Sequence, residues 1–114
     1  MPQYVALTYT ADVDWSSPEQ AAELDEYLAF GAAAAAVIRG GAALYPTSTA
    51  TTVRVRDGKG GDVVASDGPY AETKEVLTGF YLLECADLDE AIAVSAGLPA
   101  AWNGAVEVRP VIEM

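Results

Sequence analysis

The sequence predicts an α+β domain with one sheet and two helices packed on a single face of it. Four runs rich in β-branched and aromatic residues, at 4–10, 51–56, 77–85 and 105–112, read as strands. Two intervening segments, 18–39 and 88–98, carry apolar residues at spacings of three and four, the helical period. The chain has 114 residues, 52% hydrophobic and 20% charged, which is enough for one core and far from the composition of a disordered chain. A single domain over residues 1–114 is expected.

The first run (YVALTYT) carries apolar groups in both phases of its alternation, Tyr4 and Ala6 on one side and Val5, Leu7 and Tyr9 on the other, so cover is expected on both faces. A polar, turn-prone stretch at 11–17 follows. Ser17-Pro18-Glu19-Gln20 has the layout of a helix start: Ser17 accepts from the Gln20 amide, Pro18 takes the first helical position, and Gln20 reaches back. The spacing predicts a helix over 18–39 with an inward stripe of Leu24, Tyr27, Leu28, Gly31, Ala34, Ala35 and Ile38, and with Glu19, Glu23 and Glu26 facing water. Gly40 and Gly41 are expected to end it, and the alanine run 32–36 lets it lie close to a sheet. Residues 42–50 read as a connecting loop with a short extended piece at 43–45.

Residues 51–56 (TTVRVR) alternate, which places Val53 and Val55 inward and Thr52, Arg54 and Arg56 on the opposite face. The turn Asp57-Gly58-Lys59-Gly60-Gly61 leads into a short strand at 62–65, giving a hairpin. After the long run at 77–85, Asp87-Leu88-Asp89-Glu90 forms a second capping box. The helix it starts turns Leu88, Ala91, Ile92, Ser95 and Leu98 to the sheet and is stopped by Pro99. In the last strand Pro110 requires an edge position or a strand end. The order strand, helix, strand pair, helix, strand is the ferredoxin-like split βαβ arrangement. Its two helices cover one face only, so the apolar groups on the other face of 4–9 and 80–83 call for a second cover. Another copy of the chain is the simplest, which predicts a homodimer.

Six Lys and Arg against 17 Asp and Glu give a formal net charge of −11, which repels phosphate backbones and anionic membrane surfaces. Nucleic acid and membranes are therefore not expected as partners. Cys85 is the one cysteine and histidine is absent, which leaves no intramolecular disulfide and no Cys/His zinc site and fits a reducing cytoplasm. Met1-Pro2-Gln3-Tyr4 lacks a basic targeting region, and the most apolar run, 29–38, is too short to span a bilayer. No glycine-rich phosphate loop follows a strand and no Gly-x-Ser-x-Gly elbow occurs, so neither a cofactor nor a metal is expected.

The segment Ser66-Asp67-Gly68-Pro69-Tyr70-Ala71-Glu72-Thr73-Lys74-Glu75 resembles the stretch that names the DGPF family of YCII-related domains, with Tyr70 where that family usually has phenylalanine. Support lies on both sides, in 50–58 upstream and in Gly79-Phe80-Tyr81-Leu82, 87–91, 98–100 and 106–111 downstream. The resemblance covers nearly the whole chain and is weakest at 11–36. It implies a dimeric α+β barrel, two ferredoxin-like units packed sheet to sheet, and no known reaction. It also implies a regulatory setting, because members occur fused or adjacent to alternative sigma factors of the extracytoplasmic type. The histidine and aspartate pair proposed for enzymes of the wider group has no counterpart here, since the chain has no histidine.

Candidate site residues fall in two groups. Asp67, Gly68, Pro69 and Tyr70 have turn chemistry, and Asp67 and Tyr70 also stand where they could line a cleft, with Glu72, Lys74 and Glu75 nearby. Arg54, Arg56 and Arg109 lie on strands of a cation-poor chain. They either pair with Glu84, Glu107 or other acids, or converge on a small anionic or polar ligand. Cys85 reads as a core residue. Trp15 and Trp102 lie near loops, where they lid a pocket or simply pack. Three functions stand open: a small-molecule-binding domain, an enzyme using Asp67 or Glu72 with Lys74 or Tyr70 as acid and base, and an interaction module of a transcription regulator.

Overall fold

In the computed structural model, which describes residues 1–114, the chain runs β1 (Gln3–Thr10), α1 (Ala21–Ala33), β2 (Ile38–Ala43), β3 (Thr51–Val55), β4 (Val63–Asp67), β5 (Val76–Glu84), α2 (Leu88–Ser95), α3 (Pro99–Asn103) and β6 (Ala105–Pro110). Four strands form one sheet in the order β2-β5-β1-β6, each neighbouring pair antiparallel. β5 lies between β1 and β2, and β1 between β5 and β6, which is the split βαβ pattern expected from the element order. The proline-bearing strand β6 is an edge, with Pro110 opposite Tyr4.

The helices cover one face of this sheet. Tyr4, Ala6, Thr8 and Thr10 of β1 are buried beneath them, while Val5, Leu7 and Tyr9 are half-buried on the open face. The core joins Tyr4, Ala6, Phe30, Leu83, Cys85, Ala91 and Leu98. Burying a Leu or Phe side chain of this kind contributes roughly 1.5–3 kcal/mol. Asp87 caps α2 by accepting from the Glu90 amide at 2.9 Å, and Glu90 accepts in return from the Ala86 amide.

Several elements differ from the sequence-based expectation. The first helix ends at Ala33, not near Arg39: a 3-10 turn over Pro18–Gln20 precedes α1, and Ile38–Ala43 is the edge strand β2. Pairing with β5 satisfies a row of backbone groups that a longer helix would leave open along the sheet edge, and this outweighs the helical preference of alanine. Gly41, expected to stop a helix, is instead where β2 passes close to β5. A Cβ there would stand 2.5 Å from the Phe80 carbonyl oxygen.

Within α1 the buried residue is Phe30, whereas Leu28 is exposed. In α2, Ala91 and Ser95 face the sheet, but Leu88 and Ile92 do not. α2 ends at Ser95, ahead of Gly97, and Pro99, expected to stop it, instead begins the short α3, so there are three helices, not two.

The largest departure concerns β3 and β4, which pair only with each other in a separate two-stranded ribbon. Val53 and Val55, expected inward, are 63% and 44% exposed. Alternation correctly identified the strand and its two faces. It carried no information about which body the valine face would meet.

Candidate functional site

A cavity of about 140 Å³ lies between α1 and the helix-covered face of the sheet. Trp15, Leu24, Tyr27 and Tyr81 form its aromatic and aliphatic walls, and Ala42, Ala43 and Gly79 keep side-chain bulk out of it. Its polar wall is made by Thr8 and Thr78, whose hydroxyls are 3.1 Å apart. A bulge sets this wall up. Thr8 pairs with Gly79 and Tyr9 with Leu77, so Thr78 is an extra residue on β5, and its side chain is re-aimed toward the cavity. Thr8 Oγ1 also donates to the Gly79 carbonyl at 3.1 Å.

Tyr27 also lines the cavity. Its hydroxyl is buried and has no hydrogen-bond partner. Burial, followed by the negative field of Glu23 and the neighbouring Tyr81, pushes its pKa up to about 12; the Ala100 backbone acts weakly the other way, without a well-formed bond to the hydroxyl. Burial also raises the pKa of Tyr81. Both phenols therefore stay protonated near neutrality and act as donors, not as bases. Trp15 packs edge-on against Tyr27 with ring centroids 5.2 Å apart, and Phe30 packs likewise against Tyr81 at 5.2 Å. Trp15, Leu24 and Ala43 also border an open groove that continues to Leu44 and Tyr45, so the cavity has a mouth at Trp15.

None of the six site residues expected from the sequence lines this cavity. Arg54 and Tyr70 do meet, the guanidinium standing 5.2 Å from the ring centroid. The turn at Asp67-Gly68 brings them together: Gly68 has a φ of 107° and its carbonyl accepts from the Thr52 hydroxyl at 2.9 Å. Arg56 follows just beyond β3. Asp67 is paired with Thr51 and so belongs to the ribbon face opposite Arg54, and Lys74 is exposed.

Arg109 lies on the other sheet, opposite Val5 on the open face, with Glu107 at 3.9 Å. The structure thus joins Arg54 to Tyr70 and leaves Arg109 and Asp67 elsewhere. Glu84 is engaged by Arg39 at 3.3 Å. Cys85 is a core residue, its thiol pKa raised first by burial and then by Glu90. Trp15 borders the cavity, whereas Trp102 is 61% exposed and donates to the Ala96 carbonyl.

The cavity threonines left a trace in the sequence that the strand assignment did not use. Thr8 and Thr10 stand in phase with Tyr4 and Ala6, so they are polar residues at inward positions of a central strand, which marks a polar site within a core.

The chain matches the family described as YCII-related domain over residues 3–114. It is 48% identical over 71 residues to an uncharacterised protein, R00369, of Rhizobium meliloti (strain 1021). That alignment covers 60% of this chain and 55% of the relative, so the chain spans about half the length of the curated relative it matches.

Proposed function

The chain belongs to the YCII-related domain family, and on that premise we propose that it is a homodimeric small-molecule-binding domain whose ligand enters the cavity between α1 and the sheet. The observation that carries the reading is the cavity itself, whose aromatic and aliphatic walls are broken by one polar wall, the hydroxyls of Thr8 and Thr78. A ligand whose polar group meets these hydroxyls fills the rest of the cavity with its apolar part.

The size and chemistry of the cavity narrow the ligand. A volume near 140 Å³ suits a molecule about the size of a benzene ring. No Lys or Arg lines the cavity, so the occupant is a neutral compound with one or two oxygen acceptors. This is the polar half of the ligand class expected from the sequence, taken at a different site.

Binding is favoured over catalysis because no group in the lining exchanges protons readily near neutrality. The acid and base candidates Asp67, Tyr70 and Lys74 lie exposed on the ribbon and its following loop, where water screens them. In the regulatory setting the family resemblance implies, such a domain acts as the part that senses a metabolite. The homodimer reading is supported by Val5, Leu7, Tyr9, Phe80 and Leu82, apolar groups on the sheet face opposite the helices.

A thermal-shift screen with small aromatic and cyclic carbonyl compounds tests the site. Hits should lose affinity in Thr78→Val by about tenfold, the loss of one hydrogen bond. They should be abolished by Ala43→Leu, which fills the cavity. Hits that bind both variants as they bind the parent would place the ligand elsewhere.

A further inference from the structure

The β3–β4 ribbon is a two-stranded sheet with extensive packing only between its own strands. A lone hairpin of this size is marginally stable in water. Its two faces differ. On one, the chain after β4 folds back, so that Tyr70 lies under Arg54 and Gly68 is held by Thr52 and by the Ala50 carbonyl. The other face is bare: Val53, Val55 and Val63 are 63%, 44% and 71% exposed, with Ala65 between them. Three neighbouring valines facing water on an unsupported ribbon imply a missing surface.

The shape of the whole molecule agrees. The radius of gyration is 16.1 Å, against about 13 Å for a compact domain of this length. The accessible surface is 7525 Å², against about 5,900 Å² for a folded monomer of this mass. The excess exceeds the roughly 800 Å² that each partner buries in a standard interface.

Charge indicates the occupant. Residues 51–67 contain Arg54, Arg56 and Lys59, half of the six cations of the chain, balanced by Asp57, Asp62 and Asp67. The ribbon is therefore neutral and the body carries the whole charge of −11. A neutral arm, whose tip carries Arg56 and Lys59 beside Asp57 and Asp62, meets no net repulsion from an acidic body, and its bare valine face suits the apolar open sheet face which the body of this chain offers. Under two-fold symmetry each copy supplies one arm and receives the other.

We propose that the β3–β4 ribbon is an arm that clasps the body of a second copy, its valine face continuing the interface begun by the open sheet face and its Arg56 and Lys59 reaching the partner's acidic surface. This rests on the dimer reading above but names a further surface. The test is hydrogen exchange of the 51–67 segment, together with the dimer dissociation constant of full-length Val53→Thr/Val63→Thr, a substitution that keeps β propensity.

The arm predicts slow exchange of 51–67 in the dimer and fast exchange on dilution to monomer. It also predicts a dissociation constant raised at least about tenfold in the double variant. A dimer in which 51–67 exchanges freely, or whose dissociation constant the double variant leaves unchanged, overturns the arm and leaves the dimer intact. A monomer at every concentration overturns both. Arg56→Ala/Lys59→Ala provides a second reading free of any folding defect in the valine face: it should weaken the dimer most at low salt, and no change there also counts against the arm.

Discussion

β1 and the β3–β4 ribbon are written in a similar code of alternating, β-branched residues. β1 sits in the middle of a sheet with every second residue buried, while the ribbon has no buried residue at all. The difference does not lie in the strands, whose alternation is equally clean. It lies in the neighbours. Residues 4–10 are followed by a helix that returns across them, whereas residues 51–67 are bounded by a turn and by loops that cover only the Arg54 face. A strand's faces are thus a local property, and its burial is a property of topology.

The comparison is tested most strongly on the open sheet face. Leu82 pairs with Val5 there, while its neighbour Tyr81 packs on Phe30 beneath the helices. Leu82→Asp should split the dimer, since each uncompensated carboxylate costs on the order of 3–5 kcal/mol at a closed interface. Light scattering should give the 11.9 kDa chain mass in place of twice that value.

Within the body, Leu83→Ala removes a fully buried side chain and should cost about 2–5 kcal/mol by denaturant unfolding. The same kind of truncation on the ribbon, Val53→Ala, should change the stability of the Leu82→Asp monomer by no more than about 0.5 kcal/mol. A large effect of Val53→Ala in that monomer would mean that the ribbon already packs on its own body.

A smaller effect concerns the cavity. The pKa of Tyr27 is raised above its unfolded value, so the stability it contributes is fully present below that unfolded value of 10.0 and is lost as pH rises toward about 12. Ultraviolet titration should show a late tyrosinate, and Tyr27→Phe should remove it and flatten the fall in stability over that window. Tyr81 shifts in the same direction, so a residual late component should persist in the variant.

The strands other than β2, the second capping box, the edge position of the proline-bearing strand and the core role of Cys85 were legible in the sequence, because each depends on residues close together in the chain. So was the Asp67-Gly68 turn, which needs a backbone conformation that glycine adopts freely. The candidate arginines were legible as chemistry but not as a site, because Arg54 and Arg109 stand on separate sheets.

Only the tertiary structure decided that 38–43 is a strand, that 51–67 leaves the main sheet, and that Thr8, Thr78 and Tyr27 share a cavity. Each of these depends on partners far away in sequence. Edge pairing of β2 needs β5, the threonine wall needs a bulge between β1 and β5, and the unpartnered Tyr27 hydroxyl needs α1 laid across both. Local propensity and alternation act over a few residues and specify elements and faces, whereas a cavity is space left between elements and exists only once they have met.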